Sequence, residues 1–134
     1  KYPDIEVIDG GIDNDNVETA QSQAAAVLAA NPDLTGYLNC DACGAGVALA
    51  IEEKGMQEQV TFVAMDNLIE ILDYVKSGTI TATSSTLPQE QGMYAILMAY
   101  QATQGMPLPA TVDTGIGRIT VDNVDEWIEI VSGK

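Results

Sequence analysis

The order of residues predicts an α/β protein with an open parallel sheet and helices on both faces. Short β-branched runs alternate with helix-length stretches, the pattern of βαβ crossovers. One of those runs, Val60 to Met65, is apolar almost throughout, as in a strand covered on both sides.

The elements follow in turn. Ile5 to Ile8 is a short β-branched run ending at Gly10-Gly11, and it predicts a strand. After the polar loop Asp13-Asn14-Asp15-Asn16, apolar residues at Val17, Ala20, Ala24, Val27 and Leu28 form a helical stripe through Ala30. Asp15 with Glu18 resembles a capping box with Asp15 as the cap, and Asn31-Pro32 ends the helix. Tyr37 to Asn39 predicts a second strand, and Ala42 to Lys54 a helix closed by Gly55. The Val60–Met65 strand is followed by a helix over Leu68 to Ser77, with Leu68, Ile71, Leu72 and Val75 on one face. Thr79 to Ser84 is β-rich. Pro88 opens a helix that runs from Gln89 to Gln104. Thr111 to Thr120 alternates and carries two glycines, and Val124 to Ile130 predicts a last short helix. No internal repeat stands out.

Composition narrows the function. The chain has 134 residues and a formal net charge of -15, from 5 Lys and Arg against 20 Asp and Glu. Nucleic acids and anionic membranes need a basic face, so neither is an expected partner. There is no His, which removes His triads, His proton shuttles and the usual His-containing zinc sites. The longest apolar run, Met93 to Tyr100, falls far short of the ~20 residues of a membrane helix. The chain starts at Lys1 with neither an initiator Met nor a charged-then-apolar leader, and reads as a mature or excised piece of something longer.

Several constellations bear on chemistry. Cys40-Asp41-Ala42-Cys43 places a C-x-x-C between a strand and a helix, where a helix N-terminus lowers a thiol pKa. However, no Trp precedes Cys40, no Pro separates the cysteines, and Asp41 opposes a thiolate. Free thiols are expected, Cys40 at a pocket and Cys43 packed in the helix; a dithiol oxidoreductase is the rival from another class. Asp9, Asp13, Asp15 and Glu18 form an acidic cluster without the spacing of a calcium loop, and read as a solvated loop. Gly44-Ala45-Gly46 lacks the third glycine and the Walker Lys of phosphate loops, so its small residues are expected to permit close helix packing. Asp41, Asp66 and Thr86 each follow a predicted strand. Ligands of open parallel sheets bind beyond the carboxyl ends of the strands, and carboxylates accept pairs of sugar hydroxyls. The competing role for Asp41 and Asp66 is that of helix N-caps.

The chain resembles the C-terminal lobe of type I periplasmic sugar-binding proteins of the ribose-binding kind. The likeness is carried by Asn31-Pro32-Asp33-Leu34, Tyr37-Leu38-Asn39-Cys40-Asp41, Gly46-Val47-Ala48-Leu49 and Val63-Ala64-Met65-Asp66. Gly78-Thr79-Ile80-Thr81-Ala82-Thr83, Leu87-Pro88 and Ile119-Thr120-Val121-Asp122-Asn123-Val124-Asp125 continue it in order. The resemblance implies two α/β lobes joined by a hinge, with a sugar or related small polar ligand between them. It implies ligand contacts at Cys40 or Asp41, at Asp66 and at Thr86; Asn67 and Asp15 are further candidate contacts. Cys40 stands where Asn is common and Thr86 where Gln is common. An aromatic that stacks on the sugar often occupies the loop that here reads Asp13-Asn14-Asp15-Asn16.

The expected division is residues 1–87 in a partial C-terminal lobe, 88–120 in the other lobe and 121–134 returning to the first. The expected role is the solute receptor of an ATP-driven sugar importer, not an enzyme, with no cofactor. Its partners would be a sugar, a membrane permease and a missing N-terminal part of the same protein. Its place would be periplasmic or extracellular, free or lipoprotein-anchored. The effector-binding half of a LacI-type repressor is the alternative within the fold, and a signal peptide upstream of Lys1 would separate the two. The lobe's first strand would lie upstream, so Ile5–Ile8 would pair with it and not with Tyr37–Asn39. The isolated chain would then leave helix Gln89–Gln104 and a strand edge uncovered, inviting a dimer.

Overall fold

A computed structural model describes residues Tyr2 to Gly133. Helix α1 (Val17–Ala30) starts where Asn16 Oδ1 accepts the Thr19 N–H at 2.8 Å. The cap is therefore Asn16 and not Asp15. Asp15 lies one residue too early, in the left-handed region at φ 59°, so its carboxylate is not set to reach the first-turn amides. Strand β1 (Gly36–Leu38) runs parallel to β2 (Thr61–Val63), with Tyr37 opposite Phe62. Between them lies α2 (Gly44–Lys54), which ends on Gly55 at φ 66°, a conformation open to glycine without a Cβ clash.

After β2 the chain forms α3 (Ile69–Ser77) and β3 (Thr83–Ser85). A parallel bridge joins Val63 to Ala82, and the Ala64 and Asp66 N–H groups donate to Ala82 O and Ser84 O at 3.0 and 2.7 Å. β3 thus extends the β1–β2 sheet on the β2 side. Helix α4 (Pro88–Thr103) follows, then β4 (Gly117–Ile119) and α5 (Val124–Ser132). The fold class is α/β, as the alternation predicts. β4 adds one antiparallel partner to β3, with Thr83 opposite Ile119, so only that edge departs from the parallel pattern.

The core forms where helices cover the sheet. Phe62, Ile51, Ile71, Leu72 and Ala48 are fully buried, and the Tyr37 and Phe62 rings meet edge-on at 5.8 Å. Helices α1 and α2 approach closely because Gly46 has no side chain. A Cβ there would lie 2.3 Å from Val17 O. Gly44-Ala45-Gly46 is accordingly a packing motif.

Ile5 to Ile8, predicted as a strand, forms none. Ile5 and Val7 are exposed, and a cavity of about 500 Å³ separates the segment from Tyr37 and Leu38 of β1. A strand exists only through a ladder with a neighbour, and this segment has none. The Asn39 N–H donates to Val63 O and the Thr61 N–H to Thr35 O, so the odd residues face β2. The main-chain groups of Gly36 and Leu38 therefore point away from β2, toward that cavity. Helix α4 occupies its predicted span, yet none of its residues is buried; Ile96 is 74% exposed and Tyr100 63%. Among the described residues no helix is long and apolar enough to cross a membrane.

Candidate functional site

β1, β2 and the β3 segment run parallel, so their carboxyl ends open on one side of the sheet. Asn39, Cys40 and Asp41 follow β1, Asp66 follows β2, and Thr86 follows β3. Each is held by local backbone geometry. Asp41 Oδ1 accepts the Cys43 N–H at 2.9 Å and the Asn39 Nδ2 amide at 2.8 Å. This turn fixes the carboxylate ahead of α2. The N-cap of α2 is Cys43, and it makes no side-chain cap bond, so Asp41 does not serve as the cap.

Asp66 adopts φ 75°, uncommon for a residue with a side chain. Its peptide is gripped from both sides. Its N–H donates to Ser84 O at 2.7 Å, and Thr83 Oγ1 donates to its carbonyl at 2.7 Å. Its carboxylate accepts no hydrogen bond from another described residue, and the N-cap of α3 is Leu68. A half-buried carboxylate is thus held in a strained backbone position without a capping task, a combination found where the surroundings fix a side chain for a ligand. Asn67 beside it is buried, at 7% exposure. Thr86 is exposed, with its carbonyl accepting the Gln91 side-chain amide. Leu87, the next residue, is again left-handed at φ 55°.

A cleft of about 560 Å³ opens beside the end of β1. Its walls include Asp9, Gly10, Asp13, Gln23, Tyr37, Asn39, Cys40 and Asp41. Of the sequence-predicted residues, Cys40 and Asp41 line this cleft. Asp15 is not among its walls; its Oδ1 lies 3.9 Å from Cys43 Sγ. Asp66, Asn67 and Thr86 stand on the neighbouring strand ends, outside it.

Asp13 is the residue that sequence reasoning missed, because an acidic loop normally stays in water. Its carboxylate, that of Asp41 and the Cys43 thiol all lie within 4.8 Å of one another. Partial burial, then the hydrogen bond shared with Asp41, lift the Asp13 pKa above the ordinary carboxylate range. Partial burial also works to raise Asp41, but it is outweighed by hydrogen bonds from the Cys43 N–H, the Asn39 amide and Asp13, so Asp41 falls below that range. The only sequence signal was the recurrence of Asp9, Asp13 and Asp15 just before a helix.

Both cysteines are free, Cys40 exposed and Cys43 buried. Burial, with the charges of Asp41, Asp13 and Asp15, pushes the Cys43 thiol up to about 11. A thiol held protonated is no attacking nucleophile, so this arrangement opposes Cys43 as the reactive member of a redox dithiol. It also opposes a metal at Asp13, Asp41 and Cys43, since a thiol must lose its proton to bind one.

A family model described as "periplasmic binding protein domain" matches residues 1–107. A comparison with curated protein sequences finds no match. Among solved structures, the chain is similar to a solute-binding protein of an ABC transporter from Agrobacterium vitis bound with alpha-D-tagatopyranose. The identity is 31% and the TM-score 0.85, over 92% of this chain and 42% of that one. It is similar to an ABC transporter periplasmic solute-binding protein from Actinobacillus succinogenes with bound D-allose. Here the identity is 25% and the TM-score 0.85, over 93% and 44%. The sugar-binding protein of a sugar ABC transporter from Bacillus halodurans matches at 27% identity and TM-score 0.82, over 95% and 48%. The chain thus spans less than half the length of each. With the family match running from the first residue through α4, the chain belongs to the periplasmic binding protein domain family.

Proposed function

We propose that this chain is part of the solute-binding component of an ABC-type sugar importer, and that the strand ends form one wall of the ligand cleft. The observation that carries the reading is the Asp66 carboxylate. It is held at a strained, doubly bonded peptide with no capping role, beside other polar strand ends, in a chain that belongs to this family. Carboxylates at Asp66 and Asp41 accept ligand hydroxyls, Asn67 and Thr86 add polar contacts, and Cys40 and Asp15 border the pocket. The task is binding and delivery, with no bond made or broken.

The domain division follows the same reading. Residues 1–87 and 121–134 form part of one lobe, and 88–120 reach into the other. The exposed helix α4 is then covered by protein outside this chain. The cavity between Ile5–Ile8 and β1 receives a strand from the preceding, N-terminal part of the same protein. The chain's span of less than half its structural relatives supports this. A membrane permease is the delivery partner, and the protein works in the periplasm or outside the cell, free or lipoprotein-anchored.

The test is a thermal-shift screen of the two-lobed protein against a panel of neutral hexoses, pentoses, amino sugars and sugar acids. A ligand present at a hundred times its Kd stabilises the native state by about 2.7 kcal/mol. A rise in Tm with any member supports the reading, and no shift across the panel overturns it.

A further inference from the structure

Strand β3 is three residues long, and its two buried side chains, Thr83 and Ser85, are hydroxyls at 3% and 0% exposure. Buried strand positions favour Val or Ile, and a buried hydroxyl costs free energy unless it is hydrogen-bonded. Both hydroxyls are bonded, each to a residue in the left-handed region. Thr83 Oγ1 donates at 2.7 Å to the carbonyl of Asp66, which has φ 75°. Ser85 Oγ accepts at 3.1 Å the N–H of Leu87, which has φ 55°. Among the described residues the other non-glycine residues with positive φ are Asn14 and Asp15, in the loop before α1.

The sheet is held without these hydroxyls. Main-chain bonds from Ala64 and Asp66 tie the β2 end to Ala82 O and Ser84 O, and the main chain of β3 pairs with β4. What the hydroxyls add is control of two strained peptides. A residue with a side chain is sterically disfavoured at positive φ and stays there only where its surroundings hold it. Asp66 carries the carboxylate of the proposed ligand wall. The Ser85–Leu87 bond spans Thr86, the polar residue at the neighbouring strand end, and closes a turn over it. One short buried strand therefore governs the backbone at both positions.

We infer that Thr83 and Ser85 are positioning residues for ligand binding. From inside the sheet, without touching the ligand, they hold the Asp66 and Thr86 strand ends in the conformations that present their side chains. This rests on the reading of those strand ends as the ligand wall, and it goes beyond that reading by assigning part of the affinity to two buried residues. Thr83 carries the larger share, because it positions a charged acceptor and Ser85 a neutral hydroxyl.

The experiment is isothermal titration of the two-lobed protein at neutral pH with D-glucose, D-galactose, D-ribose, D-glucosamine and D-glucuronate. The sugar that the parent protein binds most tightly is then titrated into the variants. Thr83→Val keeps the shape and removes the hydroxyl, and should weaken binding about ten-fold at unchanged stoichiometry; Ser85→Ala should weaken it about three-fold. Thr83→Ser keeps the hydroxyl and should bind within about two-fold of the parent. In an Asp66→Ala background, Thr83→Val should cost less than about two-fold, because the carboxylate it positions is gone. A purely structural Thr83 would lower Tm in both backgrounds and leave the affinity of the folded protein alone. Ser85→Ala decides the matter by itself if Thr83→Val does not fold. Unchanged affinity in either hydroxyl-free variant overturns the inference and leaves the sugar reading standing. So does a Thr83→Ser as weak as Thr83→Val, or an equal loss in both backgrounds. Binding of no probe by the parent protein overturns both.

Discussion

The stretch from Val17 to Ser85 and the stretch from Pro88 to Ile116 are both rich in apolar residues, and only the first buries them. Phe62, Ile51, Ile71 and Leu28 are at or below 2% exposure, whereas no residue from Thr86 to Gly115 is buried. The difference lies in partners. In the first stretch α2 and α3 are set on the sheet by the strands before them and α1 packs against α2, so their apolar faces meet other apolar groups. Helix α4 is apolar nearly all round and has no sheet beneath it. Apolar content favours burial, but only topology supplies something to be buried against.

The largest expected contrast comes from removing a side chain in each region. Phe62→Ala should destabilise by about 3–5 kcal/mol, because it empties a fully buried site between β1 and the helices. Ile96→Ala on α4 should stay within about 0.5 kcal/mol. Urea unfolding of this chain measures both. A loss at Ile96 approaching that at Phe62 would mean that α4 is already covered, for instance by a second copy.

Ligand binding provides the next contrast. Asp66→Ala in the two-lobed protein should weaken ligand affinity by about 1.5–3 kcal/mol, the range for hydrogen bonds to a charged group. Its Tm without ligand should fall only slightly, since Asp66 caps no helix and no bond to its carboxylate is lost, and the one cost is that Ala tolerates φ 75° less well than Asp. Unchanged affinity with a lower Tm would make Asp66 a structural residue only.

Glycines draw the same comparison on a smaller scale. Gly46→Ala forces a Cβ into Val17 O at the α1–α2 contact and should cost about 1–3 kcal/mol by overpacking. Gly92→Ala on α4 meets nothing within 4 Å and should stabilise by about 0.5–1 kcal/mol through helix propensity. A destabilising Gly92→Ala would put a neighbour against α4.

How much of this was legible in the sequence depended on whether a feature is local. The helices and the Tyr37 and Phe62 strands could be read because period and caps are written in consecutive residues. Ile5–Ile8 misled because its β-branched pattern says nothing of whether a neighbouring strand is present. The β3–β4 pairing stayed hidden because the Thr111–Thr120 run contributes only three residues, Gly117 to Ile119, to a distant partner. At the site, Asp41 and Asp66 were visible as polar residues at strand ends. Asp13 was not, because its closeness to Asp41 arises only when the loop before α1 folds back over the end of β1. The N-cap moved from Asp15 to Asn16 for a related reason, since the left-handed turn at Asn14 and Asp15 is a backbone fact that residue identity leaves open.

The smallest expected effect concerns that folded-back loop and has a sign that can be worked out. The Asp13 carboxyl is raised in the folded protein, by partial burial and then by the hydrogen bond shared with Asp41. A raised acid favours folding while it keeps its proton. Its contribution is complete below the ordinary Asp pKa of about 3.9 and is lost as pH climbs through the raised folded value. At neutral pH the ionised Asp13 therefore works against the fold. Asp41 behaves oppositely, because its lowered pKa gives stability above the ordinary value that disappears only as pH falls through the lower one. A carboxamide in place of the Asp13 carboxyl cannot ionise and still offers an N–H to Asp41, so Asp13→Asn should keep the second contribution and remove the first. The variant should melt above the parent at pH 7, with the gain shrinking toward zero by about pH 3. Since Asp13 is half-exposed, solvent screening keeps the gain small. Calorimetric melts of this chain between pH 3 and 7 check it. A variant less stable at pH 7, or a gain that does not change with pH, would mean that Asp13 and Asp41 do not share a proton.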